Sequence, residues 1–435
     1  MKQYELLHSL FVGIDVSMKE NVVHAMPFSP EDHPGHAHLR FSAPNTPAGS
    51  VGIVEKVSDF LKFYPDVIQV VIALEATSVY SFHLATFLSV AHFNGHIPAI
   101  VYSVNSKEIH AYKKTFTDVG KDDYVDAMVI ADYARSNKIR SRPWKGPELL
   151  GLRVLTRLRF RIAKLMGIVK NSTGNSIYLE CSGLMTGENP FCNVWTTTCQ
   201  ELLTTFQGPD EILSLSDEEL LNFITEKGHG RFSHPLDVVE KVKKAARNSY
   251  RLDKRVYEPL TSGLSVSFFI IHSLEAAIKK LDKSIETMAK SFSSDSYQIL
   301  LSIDGVGLVI AGGLLAEIGD IKRFKTDDAL AKYIGLTWRG KQSGQSESPV
   351  KHLSKAGDVY LRYYVLLATG QIINYSAKYR EAYERIRSRK TLFPHRAALN
   401  LVARKIVRLI FTLLDKHQLY SDCLLYTSPS PRDRG

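Results

Sequence analysis

Cysteine is scarce in this chain: Cys181, Cys192, Cys199 and Cys423 are all there is, and none belongs to a Cys-x-x-Cys pair. That spacing offers neither a zinc site nor a disulfide framework, and it fits a reducing cytoplasm. Long apolar runs are missing too. No stretch approaches the ~20 uncharged residues that span a bilayer. The N-terminus, Met-Lys-Gln-Tyr-Glu-Leu-Leu-His, puts an acid and a histidine where a secretion signal would be apolar. Neither export nor a membrane partner is expected. Acids are in deficit: 45 Asp and Glu stand against 55 Lys and Arg, a formal charge of +10. That excess favours an anionic partner such as nucleic acid. A membrane-surface protein fits less well, because the positive charge is not gathered on one amphipathic segment. The 435 residues allow two or three domains with substantial cores.

Within that deficit, four acids stand where chemistry would place them. Asp15 closes the apolar run Leu10-Phe11-Val12-Gly13-Ile14, and Glu75 closes Val70-Val71-Ile72-Ala73-Leu74. Asp123 and Asp126 lie three apart at the start of a helical pattern, so they share one helix face. Carboxylates at the ends of adjacent buried strands, facing such a pair, offer oxygen ligands to hard divalent cations. Two ions about 3.5–4 Å apart would clamp the attacking and leaving oxygens of a phosphodiester. Singly, each acid reads more simply as structural: Asp is a common turn residue, and Asp122 or Asp123 would cap a helix. Glu75 is the hardest to dismiss, since a carboxylate ending an apolar strand needs a partner or a cation. Taken together in a basic protein, the four favour a metal site.

Strands are expected at 9–16, 21–27, 37–43, 68–75 and 97–103, and helices at 47–63, 79–93, 105–115 and 122–136. Three strands in hairpin order, then strand–helix alternation, predict a mixed α/β sheet flanked by helices over 1–140. A ribonuclease-H-like (RuvC-like) domain has this order. A middle region, 141–295, follows. Leu150, Val154, Leu158, Ile162, Leu165 and Val169 repeat at helical spacing beside Arg153, Arg157, Arg161 and Lys164, with Arg159 adding to them. With only Glu148 nearby to balance them, these cations read as a phosphate-contacting face on a helix packed by its other side. The plain alternative is a solvated face. A second long helix, 264–292, carries the seam Leu274, Ile278, Leu281, Ile285 and Met288, and the two could pair as a coiled coil within one chain or between two. Between them, residues 181–250 read as an insertion, irregular, with Gly, Pro, Thr and short helical pieces.

From 296 to 418 a mainly helical domain is expected. Leu300 to Ala311 resembles a helix–hairpin–helix, in which Gly305 and Gly307 allow a tight turn and leave backbone N–H groups for a phosphate. An ordinary helix–helix turn would look the same. A short helix (327–335) precedes a Gly/Ser/Lys-rich loop, 339–357, and helices near 358–375, 377–389 and 395–416 follow. In the loop, Ser343, Ser346 and Ser348 sit among glycines, with Arg339, Lys341 and Lys355 placed to neutralise a phosphate. A serine is a poor nucleophile until it is activated, so the residues alone favour an anion-binding or solvated loop. The tail 419–435 does not continue the last helix, and from 424 it reads as non-native.

Several of these segments resemble one family. Gly13-Ile-Asp15-Val-Ser-Met-Lys19, the strand ending in Glu75, and Val104-Asn105 through Lys121-Asp-Asp123-Tyr-Val-Asp126-Ala127 are similar to the DEDD transposases of a bacterial insertion-sequence family. Ile303-Asp-Gly-Val-Gly307, Leu315-Ala-Glu-Ile-Gly319, Phe324, Tyr333-Ile-Gly335-Leu336, Gln342-Ser-Gly344, Leu353-Ser-Lys-Ala-Gly357 and Tyr360-Leu-Arg362 resemble its second, transposase domain. The sequence departs from that pattern at Asp122, where the family has Thr, and at Asp304, where it has Pro. The resemblance implies a recombinase with a RuvC-like domain, a catalytic serine, and a structured bridge RNA that selects donor and target DNA. It puts the acidic tetrad on Asp15, Glu75, Asp123 and Asp126, and the nucleophile on Ser343. It also implies a pair of Mg²⁺ ions, with Mn²⁺ as substitute, and a bacterial cytoplasm near the nucleoid; since strand exchange must hold two cut duplexes and helices 150–170 and 264–292 carry apolar seams, a homo-oligomer of at least two chains is expected. Two rivals remain beside it. One is a structure-selective nuclease of the Holliday-junction-resolvase kind that uses water; the other is a non-catalytic nucleic-acid-binding protein whose acids are structural.

Overall fold

The computed structural model describes residues 3–32, 35–76, 79–116, 120, 122–139, 141–144, 146, 148–292, 294–339, 342–343, 346–347, 352–354, 356–389 and 393–421. The chain forms two compact units, Met1–Gly151 and Leu152–Gly435. In the first, α1 (Gln3–Leu7) leads into β1 (Ser9–Val16), β2 (Glu20–Met26), β3 (Leu39–Pro44), α2 (Pro47–Leu61) and β4 (Gln69–Glu75). Next come α3 (Ser81–Ser89), β5 (His92–Phe93), β6 (Ile97–Val104), α4 (Ser106–Lys113) and α5 (Asp123–Arg135).

The strands make one sheet in the order β3-β2-β1-β4-β6-β5. β1 is antiparallel to β2 and parallel to β4, and β4 is parallel to β6. The expected mixed sheet is what forms, and it fits a ribonuclease-H-like DEDD domain. β1 and β4 are central and covered on both faces, which is why their sequences run apolar without alternation. One face packs with Ile53, Val57, Leu84 and Leu88 of α2 and α3, and the other with Val129, Ile130 and Ala134 of α5.

One detail differs from the sequence expectation. The helix placed at 79–93 ends at Ser89 and the chain passes into β5, which Asn94 and Gly95, at positive φ (47° and 77°), turn back into β6. The first compact unit runs to 151, and within it the Trp144 N–H donates to the Val101 carbonyl at 2.7 Å, while its ring packs edge-on against Phe82.

The second unit opens with the long α6 (Leu150–Glu180), followed by α7 (Gly183–Thr186), α8 (Thr197–Thr205), α9 (Gly208–Ser214), α10 (Asp217–Lys227) and α11 (Pro235–Arg247). The short helical pieces of residues 181–250 are these five helices. They share a core with the ends of the long ones, from Ile177 through Leu202, Leu220 and Val242 to Phe268 and Ile271. The short, Gly- and Pro-punctuated helices lack the long periodicity that would show in sequence how they pack together.

The second long helix, α12 (Lys254–Ser291), begins ten residues before its expected start at 264 and runs antiparallel to α6 within the chain. Arg159 pairs with Asp282, Lys170 with Glu275, and Glu180 accepts from Thr261 at 3.1 Å. Although α12 contains a stretch apolar enough by length and composition to cross a membrane, its Leu264, Phe268 and Ile271 are buried in the helical core.

The remainder comprises α13 (Asp295–Leu301), α14 (Leu308–Ile318), α15 (Asp327–Ile334), the short strands β7 (Trp338–Arg339), β8 (Gln342–Ser343), β9 (Ser346–Glu347) and β10 (His352–Leu353), then α16 (Val359–Tyr375), α17 (Ala377–Arg389) and α18 (Pro394–Asp415). The largely helical character expected of 296–418 is present. Between α13 and α14, Gly305 takes φ +88°, and a Cβ there would lie 3.0 Å from the α16 backbone at Gln371 and Ile372. That close approach demands glycine whether or not a phosphate binds; the space beside Gly307 is open.

Candidate active site

The carboxylates converge through three elements. β1 and β4 lie side by side with Ile14 opposite Leu74, so their next residues, Asp15 and Glu75, stand at the same end of the sheet. Residues 11, 13 and 15 of β1 face α5, the helix that carries Asp123 and Asp126 in its first turn. Asp15, Asp123 and Asp126 each present an oxygen within 4.8 Å of the others. Glu75 lies outside that trio but is near enough for its charge to act on Asp15.

Helix capping separates the two candidate acids at the start of α5. The Asp122 side chain accepts from the Tyr124 N–H at 3.2 Å, which is the work of an N-cap, and Asp123 is left to join Asp15 and Asp126. The N-terminal end of the helix dipole favours negative charge there.

Burial and the negative charges of Glu75, Asp123 and Asp126 push the Asp15 carboxyl up to about 6. One cation already answers this cluster, since the Lys113 ammonium of α4 pairs with Asp126. Mutually repelling carboxylates, Asp15 and Asp126 half-buried and Asp123 exposed, make an all-oxygen donor set that suits a hard divalent ion. Lys113 escaped the sequence reading, because nothing local marks it. Gly13 did carry a signal: a glycine inside an apolar strand often marks close backbone approach.

On the basic helix, Arg153, Arg157 and Arg159 have partners from elsewhere in the second unit that the neighbouring sequence does not show. Arg157 makes two 2.8 Å hydrogen bonds to Glu317 of α14, whose side chain is 1 % exposed. Arg153 donates to the Ala316 carbonyl at 2.9 and 3.1 Å, and Arg159 binds Asp282 and the Tyr363 hydroxyl. A buried carboxylate needs cations around it, so this arginine face turns inward. Part of the apolar stripe (Val154, Leu158 and Leu165) is instead exposed. Arg161 and Lys164 remain exposed.

Ser343 lies on β8, paired with Ser346 of β9, and the loop rises from a stem in which Arg339 pairs with His352 and Trp338 with Leu353. The stem is anchored by the Asp358 N–H to the Tyr333 carbonyl (2.7 Å) and by Arg362 to the Ile334 carbonyl (2.9 Å). The side chains of Arg339, Ser343 and Ser346, together with Lys341, Ser348 and Lys355, lie outside what the structure describes.

Residues 12–174 match the family model of DEDD transposases of the IS110 type, and residues 297–384 match that of the transposase IS116/IS110/IS902 family. Together they span more than half of the chain and include all four acids and Ser343. The chain belongs to the IS110 family of DEDD transposases.

Among the relatives of this chain, a probable family 20 transposase of Pseudomonas aeruginosa is 29% identical over 34% of the chain and 44% of the relative. The IS110 43.6 kDa protein of Streptomyces coelicolor is 33% identical over 28% of the chain and 29% of its own length. The chain thus spans less than half of either. The IS116 44.8 kDa protein of Streptomyces clavuligerus is 23% identical over 78% of the chain and 82% of its own length. The helical module at 181–250 falls outside both family matches.

Proposed function

We propose that the chain is the transposase of an insertion sequence, cutting DNA strands and joining them to new partners by phosphoryl transfer. The observation that carries this reading is the convergence of Asp15, Asp123 and Asp126, with Glu75 on the next strand, inside a region matching DEDD transposases. Bound by these carboxylates, a pair of Mg²⁺ ions, or Mn²⁺ in their place, supplies positive charge to a phosphodiester whose oxygens gain negative charge during cleavage. Lys113 holds Asp126 in place and adds to that charge.

Ser343 is the proposed nucleophile. Its Oγ forms a bond to phosphorus and gives up its proton, while the P–O bond to the leaving sugar breaks and that oxygen takes a proton. The serine–phosphate ester retains the bond energy, so rejoining requires no external energy source. Phosphate contacts are proposed for Arg161 and Lys164, for the loop cations Arg339, Lys341 and Lys355, and for the turn at Gly305 and Gly307. A structured guide RNA is proposed to select donor and target DNA in the bacterial cytoplasm. The active form is proposed to be at least a dimer, which the exposed apolar residues of α6 support.

The test is incubation of purified protein with flanking RNA and target DNA in Mg²⁺, followed by denaturing gels. A covalent protein–DNA adduct lost in Ser343→Ala is expected. Cleavage without an adduct, undiminished in Ser343→Ala, would establish the water-using nuclease instead. Binding without any cation-dependent chemistry would establish the non-catalytic protein.

A further inference from the structure

A cleft of about 600 Å³ opens between the β1–β2 turn, the start of α2 and the exposed side of α3. Its walls include Met18 on the turn, Asn45 before α2, and Tyr80, His83 and Phe87 along α3. The last three are spaced three and four apart, so their rings share one helix face. Met18, Tyr80 and Phe87 are exposed, whereas Ala85 and Leu88 of the same helix are buried in the sheet core. Among the described residues, none lining the cleft is Lys, Arg, Asp or Glu.

The cleft is built from the two segments that leave the acid-bearing strand ends. Met18 follows Asp15 by three residues, and Tyr80 follows Glu75 by five. Asn45 ties the segments together, its Nδ2 donating to the Ser17 carbonyl at 2.8 Å and the Tyr80 carbonyl at 3.4 Å.

We propose that this cleft takes one unpaired nucleobase of the strand whose phosphate lies at the carboxylates, an inference that rests on the DNA-cleaving reading above. An uncharged cavity is a poor seat for a phosphate and a good one for a base. Three aromatic rings and a thioether offer apolar faces to stack on, and the Asn45 carbonyl and the Thr46 hydroxyl at its rim can meet a base edge. Every base has a π-face, so no strong sequence preference is expected. Base–aromatic stacking is worth about 1–3 kcal/mol per base, which offsets unpairing and holds the adjacent phosphodiester still at the acids. The rival occupant, an apolar side chain from a second protein chain, would offer neither a donor nor an acceptor to the Asn45 carbonyl and the Thr46 hydroxyl.

The test uses the full chain and decamers of single-stranded DNA with 2-aminopurine at each position in turn, competed by a fully abasic decamer. Wild type is expected to quench 2-aminopurine and to prefer bases over abasic sugars. Tyr80→Ala and Phe87→Ala are each expected to cut that preference by about 5- to 100-fold, and Tyr80→Phe to keep it. A wild type that binds abasic and intact decamers equally overturns the proposal without recourse to any variant. So do Ala variants that discriminate as well as wild type, or a Tyr80→Ala whose oligomeric mass drops while base preference persists. The same titration with Asp15→Ala, inactive in cleavage, keeps the two readings apart: base preference surviving there belongs to the cleft and not to the catalytic site.

Discussion

Gly13 and Ala127 approach more closely than any side chain would permit. A Cβ on Gly13 would fall 2.2 Å from the Ala127 carbonyl oxygen and 2.3 Å from the Ala131 nitrogen. Asp15 is two residues beyond Gly13, and Asp126 directly precedes Ala127. The bare glycine therefore sets how near α5 lies to β1, and with it the spacing of the carboxylates. Gly13→Ala is expected to cost about 1–3 kcal/mol through overpacking, and Gly13→Val more. Urea unfolding measures the loss, and the Mg²⁺-dependent rise in Tm should shrink with it. Unchanged metal stabilisation in a folded Gly13→Val protein would show that the helix does not set the site.

Asp15 is held among three other carboxylates with its own carboxyl raised to about 6. Asp15→Asn removes that repulsion. In EDTA the variant's unit should melt about 2–4 °C above wild type, while the increment that Mg²⁺ gives wild type should vanish. Calorimetry with and without metal reads both, and a variant that still gains from Mg²⁺ would place the ion elsewhere.

Glu317 is the buried partner of Arg157 and lies beside Arg153, so Glu317→Ala should destabilise the second unit by about 3–5 kcal/mol. Arg161→Ala and Lys164→Ala should leave stability within about 0.5 kcal/mol of wild type. If these two contact phosphate, the salt dependence of nucleic-acid binding should flatten by roughly one unit of slope for each. Unchanged slopes would make this a solvated face.

His24 is fully buried, and burial together with His38 and Arg40 pushes its pKa down to about 3. The unfolded chain takes up a proton below about 6.5, whereas the folded one stays neutral there. Stability is therefore full above 6.5 and is lost as pH falls from 6.5 toward 3, by about 2 kcal/mol at pH 5. His24→Gln should lose less over that range in denaturant titrations; an identical acid profile would assign the loss to other groups.

Strand exchange needs two cut duplexes held together, and the acids and Ser343 lie in separate units of the chain. Mixing Ser343→Ala with Asp15→Ala protein should restore partial cleavage if one chain's serine completes another's acidic site. Co-assembled but inactive mixtures would put the whole site within one protomer.

Local signals were enough for much of this protein. Five uninterrupted apolar residues made β1 and β4 legible as central strands, and the acids ending them were legible as neighbours once the strands were parallel. Three-residue spacing put Asp123 and Asp126 on one helix face. These features depend on residues within a turn or a strand of one another, and short-range sterics and periodicity determine them.

Tertiary structure decided what depends on distant partners. Asp122 and Asp123 are alike in sequence; the cap bond to Tyr124 and the approach of α5 to β1 separate them. The α6 arginines look unpaired along the chain, yet Glu317 meets Arg157 from 160 positions away and turns that face inward, while Val154 and Leu158 are left exposed. A buried carboxylate costs too much without its cations, and that energy, exerted only once the helices pack, overrides the pattern that hydrophobicity alone would write.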